Sequence, residues 1–217
     1  MKNLRSIAAG VLCIGCAVAQ TSATPDLKLR GDRFKPLKYE TLDPAQKKMA
    51  DHLLGGERGG ANGPFNVMMR SPEMGDLAQQ LGAQVRFHST LPQKLNEFAI
   101  IITGRYWTAQ YEWLAHKKLA LTAGLKPEIV EAVAEGRRPT GMQADEEAVY
   151  NFSTELLNTK HVGDATYKAM VDKFGERGVV DLGFAIGYYQ LVSSLLNIDR
   201  YPMADGDKPE LKELTKK

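Results

Sequence analysis

Cysteine is nearly missing from this chain: its 217 residues hold two, Cys13 and Cys16. Both fall in the N-terminal stretch MKNLRSIAAGVLCIGCAVAQTSA, where Lys2 and Arg5 precede an apolar run from Ile7 to Ala19, with small Ala17 and Ala19 near its end. That is the pattern of an export signal. Its removal near Gln20 or Thr24 would leave a mature chain without a thiol, which excludes disulfides, thiolate metal sites and cysteine redox cycles. Cys16, after Ile14 and Gly15, also allows a lipid-anchored form, although Cys13 stands where such signals usually carry leucine.

A charge of one sign is lacking as well. The 28 basic and 26 acidic side chains become 26 of each once Lys2 and Arg5 leave with the signal. A net charge near zero offers no electrostatic pull toward nucleic acid or an anionic membrane. No run downstream of the signal is expected to span a bilayer. With 43% hydrophobic and 25% charged residues, the composition is that of one globular domain with a sizeable core.

Several catalytic signatures are absent too. The glycine-rich stretch GGERGGANG from Gly55 lacks the Gly-Lys-Ser/Thr ending of a phosphate-binding loop and follows no strand pattern. The chain has no Gly-x-Ser-x-Gly elbow and no His-Glu-x-x-His zinc helix. Alternating strand patterns, internal repeats and low-complexity tracts are missing as well. An all-α fold follows, with short connections between helices.

What is present is a series of helix starts and stops. An extended arm is expected over 24–42. Asp43-Pro44 opens the first helix, which the glycines from Gly55 end; Ser71-Pro72 opens a second through about Phe87; Leu91-Pro92 opens a third with a broad apolar face of Leu95, Phe98, Ala99, Ile101 and Ile102. GRYWTAQYEWLAHKKLALTAG, 104–124, reads as one amphipathic helix ended by Gly124. Lys126-Pro127 starts a short fifth helix, a sixth runs from about Ala144 to Asn158, and a seventh from about Asp164 to Phe174. The final RGVVDLGFAIGYYQLVSSLLNI is apolar nearly all round and is expected in the core or at a subunit contact.

The polar residues of 104–124 carry the candidate chemistry. Glu112 and His116 lie one helical turn apart and share a face, so a carboxylate and an imidazole can meet. If the chain turns back between the helices, Glu97 approaches the same pair, and desolvation with mutual interaction would tune all three for acid and base work. An ordinary surface ion pair between Glu112 and His116 remains open from the residues alone, as does a divalent metal held by the three. Arg105 suits either an anionic substrate or helix-end carbonyls. His52, His88 and His161 read as weaker candidates.

Three segments carry a resemblance: GPFNVMMRSPEM, LPQKLNEFAIIITGRYWTAQYEWLAHKKLALTAGL, and AVYNFSTELLNTKHVGDATYKAMVDKFGERGVVDLGFAIGYYQLV. From roughly Gly63 to Arg200 the chain resembles the carboxymuconolactone decarboxylase family, whose superfamily includes the alkylhydroperoxidase AhpD. The AhpD-like branch uses a glutamate, a Cys-x-x-C pair and a histidine four residues beyond the second cysteine. Glu97 and His116 match the glutamate and the histidine, while Ala109 and Glu112 stand at the cysteine positions. Thiol peroxidase chemistry is then unavailable, and the peroxiredoxin label survives only as a family name. Glu112 followed by His116 is instead similar to the decarboxylase branch, in which a lactone dicarboxylate loses carbon dioxide without a cofactor.

The resemblance implies an AhpD-like bundle of about seven or eight helices over 43–200, followed by a polar tail over 201–217 and preceded by the signal over 1–23. It implies a cofactor-free, metal-free carboxy-lyase, periplasmic or secreted, that acts on a small organic acid or lactone. Glu97, Glu112 and His116 would be catalytic, with Glu97 setting the tautomer of His116. Arg105, Tyr106, Gln110 and Tyr111 would bind substrate or stabilise an oxyanion. The subunits of such proteins form symmetric trimers or hexamers. A non-catalytic binding or scaffold protein with the same fold is the alternative.

Overall fold

The computed structural model describes residues 24–214, and every element among them is helical. The signal expected over 1–23, with both cysteines, lies outside the described residues, as do 215–217. Eight helices follow one 3-10 turn at Tyr39–Thr41: α1 Pro44–Gly55, α2 Phe65–Met68, α3 Pro72–Phe87, α4 Gln93–Tyr106, α5 Gln110–Thr122, α6 Pro127–Ala134, α7 Ala144–Thr159 and α8 Asp164–Asp199. The short α2 has no counterpart in the sequence expectations. Within α8 the backbone breaks at Gly175, with φ 65° and ψ 176°, which is the division expected after Phe174.

Local chemistry sets these boundaries. Asp43 caps α1 by accepting from the Gln46 backbone at 2.8 Å, while the Gln46 side chain accepts from the Asp43 backbone, and Pro44 fills the first turn. Pro72 and Pro127 likewise fill the first turns of α3 and α6, which have no side-chain cap.

The segment 104–124 is not one helix. Gly104, Arg105 and Tyr106 finish α4; Thr108 enters the left-handed region at φ 50°, and Ala109 N donates to Gly104 O at 2.9 Å. The chain reverses there, so α5 runs back along α4, with Gly104 near Glu112 and Trp113 and Glu97 beside His116. This reversal creates the site.

The helix enclosed on every side is α4, buried from Leu95 through Arg105 and packed against α5, α6, α7 and α8. Phe98, Ile101 and Ile102 join an apolar cluster with Trp113, Ile129, Val149 and Leu182. Ile100 instead joins Met49, Leu53, Phe65 and Tyr189 in a second cluster. α8 is only half enclosed: Leu182, Ala185, Ile186 and Tyr189 face inward, while Val180, Phe184 and Leu191 face out. By length and composition α8 is apolar enough to cross a membrane, and nearly half of its apolar window is buried in the bundle. A bundle's core helix meets the same description.

Both flanking segments are tied down. Asp199 accepts from the Phe34 backbone at 2.7 Å, and Asn66 donates to Phe34 O at 2.6 Å, fixing the arm. The segment after α8 is less free than a polar tail would be. Leu211 is buried in the first cluster, and the Leu214 side chain lies against Gly136, whose positive φ disfavours any side chain there.

Candidate functional site

Glu97 from α4 and Glu112 and His116 from α5 converge, each 5% exposed or less. His116 Nδ1 lies 2.6 Å from Glu97 Oε2, and its Nε2 lies 3.4 Å from Glu112 Oε2. Each edge of the ring therefore faces a carboxylate. Burial pulls the imidazole pKa down, but hydrogen bonds and charge from Glu112 and Glu97 outweigh it and raise the pKa from 6.5 to about 9. With that pKa the ring is an imidazolium at neutral pH, its Nδ1 donating to Glu97 and its Nε2 facing the Glu112 carboxylate. Tyr189 from α8 closes its face edge-on at 4.8 Å.

Glu112 and His116 line a pocket of about 100 Å³, shared with Tyr111 and Leu119 of α5, Tyr188 and Tyr189 of α8, and the loop around Gly63. Glu97 stands behind the ring, outside that lining. Glu97 can reach a ligand only through the ring, whereas Glu112 and His116 border the pocket directly. Burial pushes the Tyr188 hydroxyl up to about 12 and those of Tyr111 and Tyr189 well up. All three phenols are donors at neutral pH.

The pocket also holds Arg58, from the glycine-rich loop, and Arg86, from the last turn of α3. Arg58 Nε and Nη2 and Arg86 Nε are buried without a hydrogen-bond partner. Gly82, one turn before Arg86, makes room for this arrangement: a Cβ there would fall 2.1 Å from Tyr188 Oη and 2.5 Å from Arg58 Nη2. Gly63, at φ 91°, passes beneath the Tyr111 ring in a conformation that side chains disfavour.

The expected substrate-binding residues divide. Tyr111 lines the pocket. Arg105 does not: its Nη2 donates to Lys212 O at 2.6 Å and its Nη1 to Thr108 Oγ1 at 3.3 Å, so it holds the C-terminal segment. Gln110 does the same, donating to Leu211 O at 2.7 Å and accepting from the Glu210 and Leu211 backbones. Tyr106 is exposed and accepts from Lys160 Nζ at 2.9 Å. His52 pairs with Asp76 and His88 with Glu57, both at the surface.

Sequence reasoning missed Arg58 and Arg86. A signal existed for each: Arg58 is the lone cation in a run of glycines, and Arg86 shares a helix face with Gly82. Among the described residues no group of three or more His, Asp or Glu side chains has metal-binding geometry. Glu97 and Glu112 sit at opposite edges of one ring and cannot share a cation with a single nitrogen of it. No protein-family model and no curated protein matches the chain.

Proposed function

We propose that this is an exported, cofactor-independent lyase related to the carboxymuconolactone decarboxylases, acting on a small organic acid or lactone by acid and base chemistry. The observation that carries this reading is the buried Glu97–His116–Glu112 arrangement, open on its Glu112 side to a pocket of phenols and guanidiniums. A surface ion pair would not be buried to this degree, nor would it raise an imidazole pKa against desolvation.

In a carboxylated lactone the carbon–carboxylate bond breaks, carbon dioxide leaves, and the bonding pair passes into the conjugated carbonyl as a dienolate. One proton must then reach carbon. His116 supplies it from the Nε2 edge beside Glu112, becomes neutral and recovers a proton from water. The phenols of Tyr111 and Tyr188 donate to the developing oxyanion. Glu97 keeps the ring oriented and stabilises its charged form. Glu112 stands at a family cysteine position, so the thiol chemistry of the peroxidase branch is not part of this proposal.

The proposal includes self-association into a trimer or hexamer. Met74, Leu77 and Leu81 of α3 and Val180, Phe184 and Leu191 of α8 are exposed apolar side chains, and Leu81, Val180, Phe184 and Leu191 line one groove. Sedimentation velocity on the mature protein tests this; a monomer at micromolar concentration would sink it.

The test of function is carbon dioxide release and loss of ultraviolet absorbance with carboxymuconolactone, for the wild type beside His116→Gln and Glu112→Gln. Turnover that both variants lose supports the lyase. A folded wild type that binds carboxylated lactones and turns over none is the binding protein of the same fold.

A further inference from the structure

We propose that Arg58 and Arg86 form a carboxylate clamp that holds one carboxylate of the ligand in the pocket, beside Glu112 and His116. This deepens the lyase reading and rests on it only for the consequence in turnover; the binding itself stands on the geometry that follows.

Buried guanidinium N–H groups without partners are costly, and folded proteins leave few of them. Here three such nitrogens, Arg58 Nε and Nη2 and Arg86 Nε, belong to two residues that line one pocket. Aromatic faces hold the cations: Arg58 lies over Phe65 and Arg86 over Phe87, each at 5.1 Å. Stacking supports a guanidinium without consuming its N–H edge. Glu57, the acidic neighbour of Arg58 in sequence, is turned to the surface and pairs with His88 at 2.7 Å.

Formal charge points the same way. Two guanidiniums and the His116 imidazolium face two carboxylates, Glu97 and Glu112, leaving one positive charge at a half-open site. One monoanion balances it. A carboxylate does so with the planar geometry that guanidinium forks match, whereas a phosphate dianion over-compensates. The pocket, about 100 Å³, takes a carboxylate and a few adjoining carbons, so a larger ligand extends through the opening.

The held carboxylate is one the ligand keeps. A carboxylate that departs as carbon dioxide loses its charge on the way to the transition state, and a tight ion pair with it would favour the ground state and slow the reaction. The clamp therefore acts on KM, and Glu112 with His116 acts on kcat.

Isothermal titration of the mature protein with acetate, propionate and benzoate tests the clamp, with chloride and phosphate at matched ionic strength as controls. Saturable carboxylate binding is expected, weakened about tenfold or more in Arg58→Gln and in Arg86→Gln and retained in Glu210→Gln, which lies outside the pocket. Arg58→Lys and Arg86→Lys keep the charge without the fork and should fall between. On the wild type alone, acetate should shift the Nε–Hε resonances of two arginines, which requires no variant to fold. No saturable binding, binding that phosphate matches, or arginine variants that bind like the wild type would overturn the proposal. Carboxylate binding without lactone turnover sustains the clamp and removes the lyase; turnover without such binding does the reverse.

Discussion

On one face of α5, Glu112 and His116 meet Glu97 and open on a pocket. On the adjoining face, Gln110, Trp113 and Lys117 grip the segment after α8: Gln110 bonds the Glu210 and Leu211 backbone, while Trp113 Nε1 and Lys117 Nζ donate to the Glu210 carboxylate at 2.9 and 2.7 Å. Both faces join a carboxylate to a nitrogen base across elements. They differ in surroundings. The first pair is almost fully buried, so its charges perturb one another strongly and shift the pH at which the proton exchanges with solvent. The second is partly exposed, where the same groups are screened and serve to fasten chain to chain.

The comparison can be broken first at turnover. Glu112→Gln and His116→Gln are expected to lower kcat by about 10²- to 10⁴-fold, the usual share of a positioned acid or base, while Glu210→Gln leaves kcat and its pH profile as in the wild type. Equal losses on both faces would show that α5 is merely structural.

Stability should separate the faces next. Glu97→Ala leaves a buried imidazolium with one partner fewer and should cost about 3–5 kcal/mol in urea unfolding. Gly82→Ala drives a methyl group into Tyr188 and Arg58 and should cost about 1–3 kcal/mol. Glu210→Gln weakens one part-exposed ion pair and should cost about 1 kcal/mol or less. A Glu210→Gln loss as large as that of Glu97→Ala would remove the distinction.

The pH dependence sharpens it further. The folded pKa of His116 lies above its unfolded value, so the pair's contribution to stability is fully present below about pH 6.5 and is lost as pH rises through about 9. Wild type and His116→Gln should therefore converge in thermal stability across that window, by calorimetry. Glu210→Gln should keep a constant offset.

Much of this was legible in the chain. Pro and Asp at helix starts placed α1, α3, α4 and α6, because capping and the first-turn geometry of proline are local. The approach of Glu97 to His116 was open to inference once a reversal near residue 107 was granted, since the four-residue spacing of Glu112 and His116 is a helix constant. The fate of Arg105 and Gln110 was not: their partners are backbone carbonyls and amides a hundred residues away, and no periodicity encodes that. Arg58 and Arg86 were hidden for a similar reason. One sits in a loop and the other at a helix end, and only the α1–α3 packing brings them into one pocket. Polar residues in a motif announce that something is recognised there; which of them face ligand and which face chain is a tertiary fact.

The most direct test is the titration of His116 itself. In histidine-labelled protein, with His116→Gln identifying its resonances among those of His52, His88 and His161, the ring should remain doubly protonated through neutral pH and titrate near 9, and the value should fall in Glu97→Gln and Glu112→Gln. Titration near 6.5 that neither glutamate variant moves would contradict a histidine held charged between two buried carboxylates.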